Sequence, residues 1–179
     1  MLNRILNIVS IFTIVSYMAI MLSCAENTDN RSDNDAIKQK ERLEEANRYL
    51  VTQEKEIIND YIRENNAVFV ETGTGLRYRI IEQGDDELIK TGDIVMMSYE
   101  VGLVNGELIY SSDNEGFKVF QVGRGGVERG LEEAVLHLHN NDVAEVIIPS
   151  YLAYGLTGDG NKIPPKSILV YKLKIIDKQ

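Results

Sequence analysis

The sequence is short of several things at once. It holds one cysteine, two histidines, three prolines and no tryptophan in 179 residues. A single cysteine excludes an internal disulfide, a thiolate zinc cluster and a CxxC redox pair. Two histidines beside it are too few soft donors for a multi-ligand transition-metal site, so neither metal nor cofactor is expected. Positive charge is scarce too: 19 Lys and Arg against 28 Asp and Glu leave a net charge of −9. Phosphate backbones require a basic face, so nucleic acid is not an expected partner. What remains is ordinary. A chain that is 44% hydrophobic and 26% charged can bury one domain's core, with some length left over.

One stretch carries no charge at all, from Ile5 to Ala25. Arg4 and the amino group precede it, and the apolar part, Ile5 to Leu22, lies between a signal-peptide core and a spanning helix in length. Asn7, Ser10, Thr13 and Ser16 weaken the spanning reading. The stretch closes on Met21-Leu22-Ser23-Cys24 and then turns polar and acidic from Glu26 to Asp35. This resembles a bacterial lipoprotein signal with its lipobox. The resemblance implies a signal peptide over 1–23 and acylation of Cys24. The mature protein would then be anchored to a membrane of the bacterial cell envelope, with its domain in the periplasm; several acyl chains hold a bilayer far more durably than one.

Residues 24–36 are polar and almost free of apolar groups, which predicts a disordered tether. The next segment, 37–66, lacks Gly and Pro and is rich in Glu, Lys, Arg and Gln. Leu43, Ala46, Leu50, Ile57, Ile58, Tyr61 and Ile62 recur at helical spacing. Ser32, Asp33 and Asp35 supply N-caps, and Asn65-Asn66 a stop. Leu43, Leu50 and Ile57 share one heptad position, but Gln53 and Asp60 interrupt the second seam. The pattern favours a spacer, or a helix packed on its own chain, over a coiled-coil homodimer.

From Ala67 the period changes to two. Leu76 to Ile81 alternates, Ile94 to Val104 reads as a strand, and Asn105-Gly106 is a hairpin signal that returns through Glu107 to Ser111. Phe117 to Val122, Val143 to Ile148 and Ile168 to Ile176 complete the strands. Val127 to Leu138 reads as one short helix with Leu131, Val135 and Leu138 on one face. The fold class is α+β: an antiparallel sheet of five to six strands on one short helix, spanning 67–179 and preceded by the long helix.

Four blocks in this region spell a family. They are Gly123-Arg-Gly-Gly-Val-Glu-Arg-Gly-Leu-Glu-Glu-Ala-Val135, Ile148-Pro-Ser-Tyr-Leu-Ala-Tyr-Gly155, Gly158-Asp-Gly-Asn-Lys-Ile-Pro-Pro165 and Ser167-Ile-Leu-Val-Tyr-Lys-Leu173. In order and spacing they resemble the FKBP-type peptidyl-prolyl isomerases. With the lipobox, the acidic helix and Ile109-Tyr110-Ser111-Ser112, the chain is similar to the gliding-motility-associated FKBP lipoproteins of Bacteroidetes-type bacteria.

The resemblance implies isomerisation of X–Pro bonds in exported envelope polypeptides, with a non-catalytic proline-binding chaperone or assembly module as the alternative. It assigns catalytic positions to Tyr154, Tyr99 and Tyr110. Ile109, Phe120, Val127, Glu128, Leu131, Ile163 and Tyr171 would bind substrate, and the Tyr154 hydroxyl would point at the substrate carbonyl. Leu131 takes the floor position where many members have Trp. Tyr110 and Ile109 replace the usual Asp and Phe, and Glu128 falls where an apolar side chain is usual.

Read without the family, the same residues are blander. Tyr99, Phe120 and Tyr171 suit a core. Gly123 to Gly126 lacks the Lys-Ser/Thr of a phosphate loop. His137 and His139 point to opposite faces, so they do not form a metal pair. Glu132 and Glu133 do not converge as an acid/base pair and are expected on the solvated side of the helix.

Overall fold

A computed structural model describes residues 29–84 and 87–179 of the chain. The expected signal segment and Cys24 lie outside the described residues. The chain divides into two compact units, residues up to Tyr49 and Leu50–Gln179.

Helix α1 (Asp29–Glu64) contributes to both. In the first unit it exposes Ile37, Leu43 and Tyr49 and carries the i,i+4 ion pair Lys40–Glu44 at 3.9 Å. The expected tether 24–36 is helical from Asp29 onward. Its polar composition argues against a core, but no Gly or Pro interrupts it, and the caps read at Ser32, Asp33 and Asp35 fall inside the helix. Among the described residues no helix is long and apolar enough to cross a membrane.

In the second unit the end of α1 is part of the packing. Ile58 is 1% exposed and clusters with Ile147, Ile168 and Val170, bordered by Tyr61, Ile62, Phe69 and Val104. By compactness the chain divides at Leu50, inside this helix, whereas the sequence reading places a boundary at 66/67. Periodicity marked the stripe but not its destination, which is the sheet of the same unit. Asn66 ends the helix with φ 47°, and the Ala67 amide closes back on the Ile62 carbonyl at 3.3 Å. This is the left-handed stop that Asn tolerates.

The sheet is seven-stranded and antiparallel. Its strands are β1 (Val70–Glu71), β2 (Arg77–Glu82), β3 (Ile94–Leu103), β4 (Leu108–Ser111), β5 (Lys118–Gln121), β6 (Val143–Ile148) and β7 (Leu169–Lys178). They run in the order β1-β2-β6-β7-β3-β4, with β5 paired to β3. The strand beyond the expected five to six is β1, whose two residues are too few to show a period. Val95, Met97, Tyr99 and Val101 on β3 and Leu169, Tyr171, Leu173 and Ile175 on β7 fill one face, while Lys172 and Lys174 are exposed on the other. Two short helices interrupt the strands, α2 (Ser112–Glu115) and α3 (Arg129–Val135).

The helix read at 127–138 is regular only over α3, yet Leu138 is fully buried. After Val135 the chain tightens, with His137 and Leu138 amides bonding to the Ala134 and Val135 carbonyls, and His139 then bridges to Leu88. On α3, Leu131, Ala134 and Val135 meet the filled face of the sheet. The helix comes this close because of Gly130, where an added Cβ would lie 2.2 Å from Ile148 Cγ2.

Candidate functional site

The site grows from the sheet upward. Alternation on β3 and β7 turns Tyr99 and Tyr171 to the same face, where their ring centroids lie 6.2 Å apart at 41°. Leu131 on α3, 0% exposed, belongs to the same buried cluster. Phe120 comes from β5, Ile109 and Tyr110 from β4, and Ile163 from the segment between the turn Ser150–Leu152 and β7. Tyr99, Phe120, Leu131, Ile163 and Tyr171 belong to one buried cluster, with Ile109, Tyr110, Val127 and Tyr154 packed against it. The structure thus brings together every apolar and aromatic residue that the sequence singled out. Beside them a cleft of about 360 Å³ is lined by Lys118, Gly126, Val127, Glu128, Arg129, Ala153 and Tyr154.

The polar centre of this region is Glu128. Its Oε1 accepts the hydroxyl protons of Tyr154 at 2.6 Å and Tyr171 at 2.7 Å. Its Oε2 is buried and has no hydrogen-bond partner among the described residues. Burial raises the Tyr154 hydroxyl far above the ordinary phenol value, and the bond to the Glu128 carboxylate adds to this. Tyr171 is raised likewise, by burial first and then by the Glu128 charge. The Tyr154 hydroxyl donates to Glu128 here, whereas the resemblance aims it at a substrate carbonyl. The oxygen keeps lone pairs, and the ring still borders the cleft.

A second polar link involves a residue that sequence reasoning passed over. Asp159 accepts the Tyr110 hydroxyl at 2.6 Å and the amides of Asn161 and Ile163, each at 2.8 Å. Burial pushes its carboxyl up, but these donors outweigh that and hold it below the usual carboxylate range. The Asn161 amide nitrogen in turn donates to the Tyr110 oxygen at 3.1 Å. Asp159 thus shapes the loop that delivers Ile163. The available signal was Gly158-Asp159-Gly160: both glycines have positive φ, as a reversed loop requires.

The other acidic and imidazole groups serve elsewhere. Glu132 accepts the Gly125 amide at 2.9 Å, and Glu133 accepts the hydroxyls of Thr72 and Thr74 at 2.8 and 2.6 Å. They tie loops to α3 instead of lying idle on its solvated side. His137 stacks on Tyr78 with centroids 4.8 Å apart, and His139 lies beside Asp142. A smaller cavity of about 200 Å³ lies between α1, residues 71–77 and Tyr151. Its charged groups are already engaged, Lys55 and Arg77 both reaching Glu71 and Glu54 accepting from Ser150.

Residues 85–176 match the family described as FKBP-type peptidyl-prolyl cis-trans isomerase. The chain belongs to this FKBP family. Its FKBP domain is similar to a probable FKBP-type peptidyl-prolyl cis-trans isomerase FkpA of Neisseria meningitidis, at 37% identity over 59% of this chain and 38% of that protein. It is also similar to FK506-binding protein 2 of Dictyostelium discoideum, at 34% identity over 57% of this chain and 76% of the relative. The chain thus spans well under half the length of the Neisseria relative. Among solved structures, AtFKBP13 superposes with a TM-score of 0.60 at 28% identity, over 63% of this chain and all of that one. FkpA from Escherichia coli superposes at the same TM-score over 95% of this chain and 82% of that one. At 23% identity, this second likeness speaks for the fold alone.

Proposed function

We propose that this FKBP protein is a peptidyl-prolyl cis-trans isomerase acting on X–Pro bonds of exported envelope polypeptides. Rotation about such a bond needs no nucleophile and no metal; its barrier of roughly 18–20 kcal/mol is amide resonance. A catalyst must bind the twisted amide better than the planar one. An apolar pocket contributes by taking the proline ring and removing the water that favours the planar, dipolar form. The observation that carries the reading is the gathering of Tyr99, Phe120, Leu131 and Tyr171 in one buried cluster, against which the cleft-lining Val127 and Tyr154 pack. Val127 and Tyr154 line the cleft, where they would hold the flanking backbone. Tyr110, held by Asp159, packs against the same cluster.

The test is refolding of a proline-limited protein. Substoichiometric amounts of the chain should accelerate the slow phase, and no acceleration on any X–Pro substrate would overturn the reading. One observation favours a proline-binding chaperone or assembly module in that event. With the Tyr154 proton bonded to Glu128, the pocket can hold a proline while offering its carbonyl little.

The proposal extends to the anchor. Cys24 is the single cysteine and follows the apolar run, which supports acylation there and residence on an envelope membrane. Labelled palmitate should enter the wild-type chain and not Cys24→Ser; equal incorporation in both would remove the anchor from the reading.

A further inference from the structure

Cations gather around the cleft, Lys118 half-buried and Arg129 exposed. Lys118 and Arg129 line the cleft itself, together with Glu128 and Tyr154. The Lys118 ammonium also lies 5.0 Å from the Tyr99 ring centroid, and Lys162 places its own 4.9 Å from that of Tyr110. Three separate parts of the chain, β5, the start of α3 and the segment between the Ser150–Leu152 turn and β7, thus each bring one cation to the pocket residues.

Acidic side chains outnumber basic ones 28 to 19 in this chain, so partners for these cations are plentiful. The structure nevertheless gives Lys118, Arg129 and Lys162 no carboxylate within ion-pair distance among the described residues. The nearby acids are turned to other donors: Glu128 to Tyr154 and Tyr171, and Asp159 to Tyr110 and two backbone amides. Glu115 is the further charge facing Tyr99, and it is exposed. Glu128 Oε1 and both Asp159 oxygens already accept protons, whereas Lys118, Arg129 and Lys162 keep their donors free of carboxylates among the described residues.

We infer that the site selects prolines flanked by acidic side chains, a carboxylate beside the proline pairing with Lys118 and Arg129 as the ring enters the pocket. This rests on the proposed proline site and adds the substrate class. Arg129 supplies a planar fork that suits a carboxylate, and Lys118 a point charge held over an aromatic face. Like-charge contact disfavours a Lys or Arg next to the proline, so the discrimination has an attractive and a repulsive side. Both are rim interactions, individually small and screened by salt.

Chromogenic tetrapeptides Ala-Xaa-Pro-Phe, with Xaa Glu, Leu or Lys, test this on the full chain in detergent. At low ionic strength kcat/KM for the Glu peptide should exceed that for the Lys peptide by about three- to tenfold, converging as salt reaches about 0.5 M. The double variant Lys118→Glu with Arg129→Glu should invert the Glu-to-Lys ratio. A Glu peptide no better than the Lys peptide at low salt, or a preference indifferent to salt, overturns the inference while leaving the isomerase reading intact if the Leu peptide is turned over. If no peptide is turned over, the isomerase reading fails, and anisotropy binding of the same labelled peptides decides: tighter binding of Glu than Lys supports the inference, and equal binding overturns it. Should the double variant misfold, the single variants Lys118→Gln and Arg129→Gln, each narrowing the Glu-to-Lys ratio, and the wild-type salt series separate the same two outcomes.

Discussion

The Tyr154 hydroxyl lies 2.6 Å from Glu128 Oε1 and donates its proton to it. Tyr171 donates to the same oxygen, so a carboxylate at a position the family usually keeps apolar becomes the joint of the site. Burying a carboxylate is costly unless donors meet it, and here two phenols donate to one of its oxygens while Oε2 has no partner among the described residues.

Removing the Tyr154 hydroxyl should therefore affect stability as well as turnover. Tyr154→Phe keeps the ring but leaves Glu128 with Tyr171 alone, and a hydrogen bond to a charged group contributes roughly 1.5–3 kcal/mol. Urea denaturation should register a loss of about that size, alongside a fall in kcat/KM of about two- to twelvefold. Glu128→Gln retains both phenol contacts in neutral form and should cost about 1 kcal/mol, less than Tyr154→Phe. Wild-type stability in both variants would mean that the shared contact is incidental.

Glu54 is the next residue to test. It is 8% exposed, and its carboxylate accepts the backbone amide of Ser150 at 2.8 Å and that residue's hydroxyl. Ser150 opens the turn Ser150–Leu152, and its carbonyl accepts the Gly155 amide at 2.8 Å, bracketing Tyr154. Glu54→Ala orphans a buried amide and should cost about 1–3 kcal/mol. If the contact also positions Tyr154, kcat should fall while KM changes little, and Glu54→Asp should restore part of it. A loss of stability with unchanged kcat would confine Glu54 to packing.

Truncation tests the boundary. A fragment from Leu50 should unfold cooperatively, whereas one from Ala67 loses Ile58 and uncovers Ile147, Ile168 and Val170. Within the intact chain Ile58→Ala should cost about 2–5 kcal/mol, as large-to-small core changes do. Circular dichroism melts distinguish the outcomes; equal melting of the two fragments would return the helix to the role of a spacer.

High pH tests the same contact from the other side. Tyr61 donates to Glu145 at 3.1 Å, and its hydroxyl is pushed up to about 12, first by burial and then by the Glu145 charge, with Arg79 partly offsetting this. A folded-state value above the unfolded one means that the neutral phenol stabilises the fold. That contribution is fully present below about pH 10 and is lost as pH rises towards 12. Tyr61→Phe should flatten the fall in stability between pH 10 and 12, and spectroscopic titration should show one phenol fewer ionising late. An unchanged alkaline profile would show that the phenol does not bury its proton in the fold.

The residues alone determined the α+β class, the Asn105-Gly106 hairpin and the strand alternation. The resemblance of the motif blocks named the apolar and aromatic set that the fold gathers in one cluster. These follow from local period, turn chemistry and ordered motif blocks, which are written along the chain. Tertiary structure decided the rest. Two-residue β1 exists only through its pairing with Tyr78 and Arg77. The stripe on α1 had an apolar face but no stated partner until Ile58 met the back of the sheet. Glu128 looked like a departure within an apolar pocket, and only folding placed Tyr154 and Tyr171, far along the chain, on one of its oxygens. A side chain's type can be read from sequence. Whether a buried charge is satisfied depends on which distant donors the fold delivers to it.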